Sequence, residues 1–293
     1  MDWTADVDPF EAPEGRWCHP STNLVLDFHG DPAAADLCVL SEGNHNMALR
    51  ETLQRFQARM PPPAAYFYAT TPPGPILTLL ARGRLQIGNL VLSVSPHVFI
   101  GPPEVLDRLA AEGRVSDHRP FVRNQGNVLL VRKGNPKGIA SVEDLVGKGA
   151  TVFLSNPETE GASHRAYAAT LAALSGDPAF LDRIDAVFGE RIHHREAPAS
   201  VAAGAADAAV VFHHLALHFT RLFPGVFEIV PLGGTVDRPE PLPGNVVGLT
   251  HAGLVGDGGR FGGAFFEFLL SETVADIYRR HGLLPLRGRG GPS

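Results

Sequence analysis

The sequence predicts an α/β protein built on mainly parallel sheets with covered faces. Two observations carry this reading. Short apolar runs of strand length alternate with helical stretches from about residue 36 to residue 285, the order that buries a parallel sheet between helices. The stretch Val128 to Leu174 shows the unit in full. An apolar run, a Lys133-Gly134-Asn135-Pro136 turn, a short helix, a second apolar run and a polar loop lead into an Ala-rich helix. With 293 residues, 44% hydrophobic and 19% charged, the chain has material for one large or two medium domains with real cores.

Residues 1–23 read as an irregular arm, acidic and broken by Pro9 and Pro13. Leu24–Phe28 is a short apolar strand, and Asp36–Leu40 a buried-type one. Asn46–Arg59 is helical, because Met47, Leu49, Leu53 and Phe56 recur near 3–4 spacing. Tyr66–Ala69 is the next strand, Ile76–Ala81 a helix after the Pro72-Pro73-Gly74 turn, Leu90–Val94 a strand and Pro103–Glu112 a helix. After the strand Val128–Val131, a short helix spans Ser141–Val146, with Ser141 as N-cap and Asp144 at N3, a weak capping box. Strands at Ala150–Leu154, Ala208–Phe212 and Phe227–Val230 alternate with helices at Ala162–Leu174, Ser200–Gly204 and His213–Leu222. Val246–Thr250 reads as a returning strand. Phe261–His281 reads as one closing helix, with Phe265, Phe268, Leu269 and Ile277 on its apolar face.

Composition removes several function classes. A net charge of −6 without a basic stretch leaves nothing to neutralise phosphates, so nucleic acid is not the partner. No segment has the ~20 apolar residues that span a bilayer. The first 17 residues lack the basic start and apolar core of a secretory signal. The expected location is the cytoplasm, or the periplasm if a signal was removed before residue 1. Cys18 and Cys38 permit at most one disulfide, and two buried thiols are the simpler expectation. There is no Gly-x-Ser-x-Gly elbow, no Gly-Lys-Ser/Thr phosphate loop and no Cys-x-x-Cys. No catalytic residue and no cofactor are therefore assigned, and a binding protein is favoured over an enzyme. Gly256-Asp257-Gly258-Gly259 reads as a turn. Thirteen histidines include His214 and His218 at i, i+4, a spacing that suits a metal. No carboxylate or cysteine joins them at a diagnostic spacing, so they read as helix histidines and no metal ligand is assigned.

Particular residues carry a resemblance. LLVRKGNPKGIASVEDL followed by NPET-x-GA-x-x-x-AY resembles the molybdate/tungstate-binding type of periplasmic solute-binding protein. GAADAAVVFHHLA, FFEFLLSETVADIYRRHGLLP and DLCVLSEGNHNMALRETLQRF match further segments of that family in order, from Asp36 to Pro285. The resemblance implies a two-lobed type II periplasmic-binding-protein fold with the ligand cleft between lobes. Residues 24–126 plus 237–293 would form one lobe and 127–236 the other. It also implies hinge closure on a small-molecule ligand, an oxyanion such as molybdate or tungstate, and an ABC transporter permease as partner, with the protein a monomer. The alternative is a cytoplasmic enzyme or ligand sensor on the same fold, acting on a small organic molecule.

Four loops are the candidate site. A strand, loop and helix start in that order trap anions, because the first helical amides lack acceptors and the dipole favours negative charge. The first loop is Ser41 to His45, where the family has a hydroxyl donor. Ser41, Asn44 and His45 are the candidates, and Glu42 is a misfit because its carboxylate repels an anion. The second loop offers Thr70 or Thr71 before two prolines that donate no amide. The third is Asn156 to Ser163, where the amides of Gly161, Ala162 and Ser163 match the family's ligand-meeting helix start and Glu160 is unexpected. The fourth holds Ser200, Phe212 and His213. The family has Tyr where Phe212 stands, so His213 or His214 is the candidate replacement donor. Ser95 and His97 are expected to border the cleft. The expected chemistry is an oxyanion held by neutral donors and helix ends rather than by ion pairs.

Overall fold

The computed structural model describes residues 27–42, 45–60, 64–70, 73–87, 90–158, 160–190 and 193–286. The arm 1–23 with Cys18, and the candidate residues Asn44 and Thr71, lie outside the described residues. The chain opens with β1 (Asp27–His29), β2 (Leu37–Ser41), α1 (Asn46–Gln57), β3 (Tyr66–Thr70), α2 (Pro73–Arg82), β4 (Leu85–Ile87), β5 (Leu90–Leu92), β6 (Val98–Gly101), α3 (Pro103–Ala111) and β7 (Val115–Arg123). Its middle holds β8 (Asn127–Arg132), α4 (Glu143–Gly147), β9 (Thr151–Leu154), α5 (Gly161–Ser175), β10 (Asp185–Phe188), α6 (His193–Ala203), β11 (Ala208–Phe212), α7 (His213–Leu222) and β12 (Phe227–Pro231). It closes with β13 (Leu249–Val255), α8 (Gly259–Leu269), α9 (Glu272–Arg280) and β14 (Leu284–Pro285). No helix among the described residues is long and apolar enough to cross a membrane.

These elements form two compact units, named here for their place in the sequence. The terminal unit joins residues 26–123 to 248–293, and the central unit spans 124–247. The return to the terminal unit follows Val247. Residues up to Asn245 stay with the central unit because the Asn245 amide binds both the N–H and the C=O of Asn127 and the C=O of Leu232.

The terminal sheet runs β1-β3-β2-β6-β13-β7-β14. Period-2 alternation along β2 divides its core. Leu37 and Val39 join Leu49, Phe56, Phe265 and Tyr278 on the α1, α8 and α9 side. Cys38 and Leu40 join Phe67, Ile76, Phe99 and Leu106 on the α2 and α3 side. Both faces are thus covered, and each fully buried large side chain contributes about 1.5–3 kcal/mol. The central sheet runs β10-β9-β11-β8-β12, and β8 and β11 are buried along nearly their whole length.

Mainly parallel sheets were expected, and both are mixed. β3-β2-β6 and β10-β9-β11 are parallel, while every other pairing in the two sheets is antiparallel. Hydrophobic period reports burial and not strand direction. Five strands, β4, β6, β7, β10 and β14, were not anticipated. β7 hides its period because it carries Pro120 and skips a register. Thr250 pairs with Val122 and His251 with Pro120, so Phe121 is the extra residue of a bulge. A proline with no N–H is tolerated at such a position.

The closing helix is two helices. Ser271 breaks it by leaving the helical region and accepting from the Val274 N–H, with Glu272 in the new first turn. α6 begins at His193 rather than Ser200 and carries Pro198 inside it. The short helix α4 takes Val142 as its N-cap and not Ser141. Asp144 accepts the Ala140 N–H at 2.7 Å, one residue before the expected N-cap.

Candidate functional site

In the terminal unit the parallel strands β2 and β3 end side by side. Ser41 is the register partner of Thr70, and Ile100 flanks Ser41 on the other side. Both hydroxyl residues are buried, at 0% and 2% exposure. Ligands of α/β sheets meet such carboxyl ends of strands. The Ser41 hydroxyl donates to the Glu42 carbonyl at 3.0 Å.

The Glu42 carboxylate, a misfit in an anion site, has local partners. It is 3.1 Å from His45 Nε2 and accepts from the Thr250 hydroxyl at 2.9 Å, with Thr250 itself 3.3 Å from His45 Nε2. His45 is buried and packs against Tyr278. The three side chains form a closed triangle around one imidazole nitrogen, so Thr250 is not relayed through His45 as a nucleophile would be. They tie the start of α1 to β13.

Ser95 is exposed on the loop after β5. His97 is structural. Its Nδ1 accepts the Cys38 N–H, its ring abuts Gly259 and Gly262, and burial lowers its pKa. Cys38 is a buried free thiol, and desolvation pushes its pKa up to about 12.

In the central unit the loop from β9 to α5 is built by its own side chains. Asn156 accepts the Glu158 N–H at 2.9 Å and donates to the Gly189 carbonyl at 3.0 Å. His164 donates from Nδ1 to the Ser155 carbonyl at 2.9 Å. No described residue accepts from the Gly161, Ala162 and Ser163 amides, the first bond of α5 being His164 N–H to the Glu160 carbonyl. Ser155, which the sequence reading passed over, ends β9 fully buried with an unpartnered hydroxyl. No sequence signal distinguishes it from any serine after a strand.

Glu160 has a task that the sequence did not reveal. Its carboxylate accepts the His193 N–H at 2.9 Å, which caps the start of α6. Burial raises its pKa to about 7, against the His193 hydrogen bond, and the nearby Glu196 adds to the rise. The folded protein therefore holds this proton more tightly than the unfolded chain, whose glutamates titrate near 4.5. Stability from this group is full below about 4.5, falls as pH rises towards 7 and is level above it. The loss is about 3 kcal/mol. His193 and His194, lowered by burial to about 4 and about 3, work in the opposite sense at acid pH. The difference between two proteins isolates Glu160. Glu160→Gln should match wild-type melting near pH 5 and exceed it at pH 8, and equal melting curves at pH 8 would contradict this.

The fourth region is also occupied. Phe212 is buried against Tyr167 and stacked with His214. His213 donates from Nε2 to the Val236 carbonyl at 2.8 Å, and burial lowers its pKa. That nitrogen is engaged within the central unit, and the buried Nδ1 has no partner among the described residues. Ser200 lies within α6, its carbonyl accepting from Ala205 and Ala206. The sheet register thus brings Ser41 and Thr70 together, and α5 brings Gly161, Ala162 and Ser163 together.

The bacterial extracellular solute-binding protein family matches residues 37–284. No curated protein matches the chain. Solved structures show the same fold at low identity. The periplasmic molybdate-binding protein of Azotobacter vinelandii is 17% identical with a TM-score of 0.56, over 85% of this chain and 98% of that one. The sulfate-binding protein of Mycobacterium tuberculosis is 16% identical with a TM-score of 0.64, over 85% and 86%. Iron-bound HitA of Pseudomonas aeruginosa is 15% identical with a TM-score of 0.59, over 88% and 89%. The α/β topology and a family match across most of the length make this chain a member of the bacterial extracellular solute-binding proteins.

Proposed function

We propose that the solute is a small tetrahedral oxyanion of the molybdate or tungstate type, captured for delivery to an ABC transporter or for sensing. The observation that carries this reading is the α5 start, whose amides no described residue accepts; the strand ends β2 and β3 add two hydroxyl residues in register, Ser41 donating to the Glu42 carbonyl here. Both nearby carboxylates are engaged locally, Glu42 by His45 and Thr250 and Glu160 by the His193 amide. Their repulsion of an anion is thereby reduced. Helix-start amides and hydroxyls suit a multiply charged oxyanion, and the flexible Arg165 guanidinium lies beside the same helix start. Relatives in fold bind molybdate, sulfate and iron, so the ligand class is the point to test. A thermal-shift panel of molybdate, tungstate, sulfate, ferric citrate and small carboxylates separates them. The expected result is a rise of several degrees with molybdate or tungstate and a smaller one with the rest. A rise with ferric iron or a carboxylate alone would replace this reading.

A further inference from the structure

A cluster of imidazoles and carboxylates lies in the terminal unit, away from the loops described above. His118 on β7 and His251 on β13 are diagonal neighbours on one sheet face, since His118 pairs with Gly253 and His251 with Pro120. Their Nδ1 atoms share a hydrogen bond at 3.1 Å, one ring donating and the other accepting, with ring centroids 5.3 Å apart. His118 turns its Nε2 to the Asp107 carboxylate at 3.3 Å. Asp107 and Glu104 stand one turn apart on α3, and both act electrostatically on His251. Gly253 permits this approach, because a Cβ there would stand 2.5 Å from Leu106 of α3 and 3.4 Å from His118.

We propose that His118 and His251 form a binding site for a divalent transition-metal ion, with Cu2+ the tightest, held by their two Nδ1 atoms. Two nitrogens about 2.05 Å from one metal stand about 2.9 Å apart at 90° and about 3.3 Å apart at the tetrahedral angle. The observed 3.1 Å falls between these values. Asp107 fixes the His118 tautomer, since a proton held at His118 Nε2 makes its Nδ1 the acceptor, the usual role of a carboxylate behind a ligating histidine; the metal then takes the place of the proton on His251 Nδ1, which moves to that ring's Nε2. Among the described residues no three His, Cys, Asp or Glu side chains converge on one metal-sized point, so water completes the coordination. Imidazole ligands favour Cu2+, Ni2+ and Zn2+ in the Irving–Williams order.

The test is calorimetric titration of the full chain, without an affinity tag, by CuCl2. The expected result is one Cu2+ bound at micromolar affinity or tighter. His118→Gln and His251→Gln should each weaken it at least tenfold, and Asp107→Asn about tenfold. His218→Gln, on α7 of the other unit, should leave it unchanged. Circular dichroism verifies that each variant folds, and Asp107→Asn, which removes no ligating atom, keeps the test sound if a histidine variant does not. Absence of binding to the wild type, or a loss in His218→Gln as large as in His118→Gln, would overturn the proposal.

Discussion

Gly161→Asp should lower oxyanion affinity at least ~100-fold while leaving the fold in place. A side chain is sterically allowed at 161, its nearest neighbour being the flexible Arg165 guanidinium, 3.2 Å from a Cβ placed there. A carboxylate at this position sits at the α5 start and pairs with Arg165, so the protein would carry its own competing anion at the amides the solute is proposed to use. Ala162→Pro reaches the same amides differently. Proline is tolerated in the first turn and removes one N–H, so its expected effect is about tenfold. Calorimetry with both variants checks this. Unchanged affinity in both would place the solute elsewhere in the molecule.

Asn245→Ala should cost about 3–5 kcal/mol, the largest loss of stability expected from one surface-distant substitution. Asn245 is 7% exposed and its amide makes three hydrogen bonds, with the Asn127 N–H at 2.8 Å, the Asn127 C=O at 2.9 Å and the Leu232 C=O at 3.1 Å. Asn127 also donates to Thr170 of α5, whose hydroxyl accepts the Val246 N–H. The residues where the chain enters and leaves the central unit are thus pinned to each other and to α5. Alanine removes the amide partner of the buried Asn127 N–H and C=O, at about 1–3 kcal/mol each with incomplete additivity, while the Leu232 C=O keeps the Leu242 N–H. The melting temperature should fall by on the order of 10 °C. Asn245→Asp distinguishes polarity from shape. It retains the bond from the Asn127 N–H but sets an acceptor against two carbonyls, so it should be at least as damaging as alanine. A fall of only 1–2 °C in both would show that the pin is redundant.

Burial pattern and turn chemistry were legible in the sequence, and long-range pairing was not. The helices α5 and α7 and the strand β11 lie where apolar period and flanking polar loops placed them. Ser41 and Thr70 were both named as donors, but only the parallel register of β2 and β3 makes them neighbours. The bulge at Phe121 and the reach of Asn245 to Asn127 depend on partners more than a hundred residues distant. The two acidic misfits illustrate the limit best. Glu42 and Glu160 were read against an anion because their partners, Thr250 and the His193 amide, are remote in sequence. The split of the closing helix was different, since Ser271 followed by Glu272 is a local start signal that the apolar stripe overrode.

The most direct test of the central claim is calorimetric titration of the wild-type chain with molybdate and tungstate, with sulfate as the competitor. The proposal of a small oxyanion held by neutral donors predicts one site per chain, with a dissociation constant at or below the micromolar range. Molybdate or tungstate should be preferred over sulfate, and a scattering measurement at saturation should find a smaller radius of gyration, as expected for a ligand that favours a closed state. If neither anion releases heat up to millimolar concentration while a metal ion or an organic acid binds one to one, the oxyanion account is contradicted.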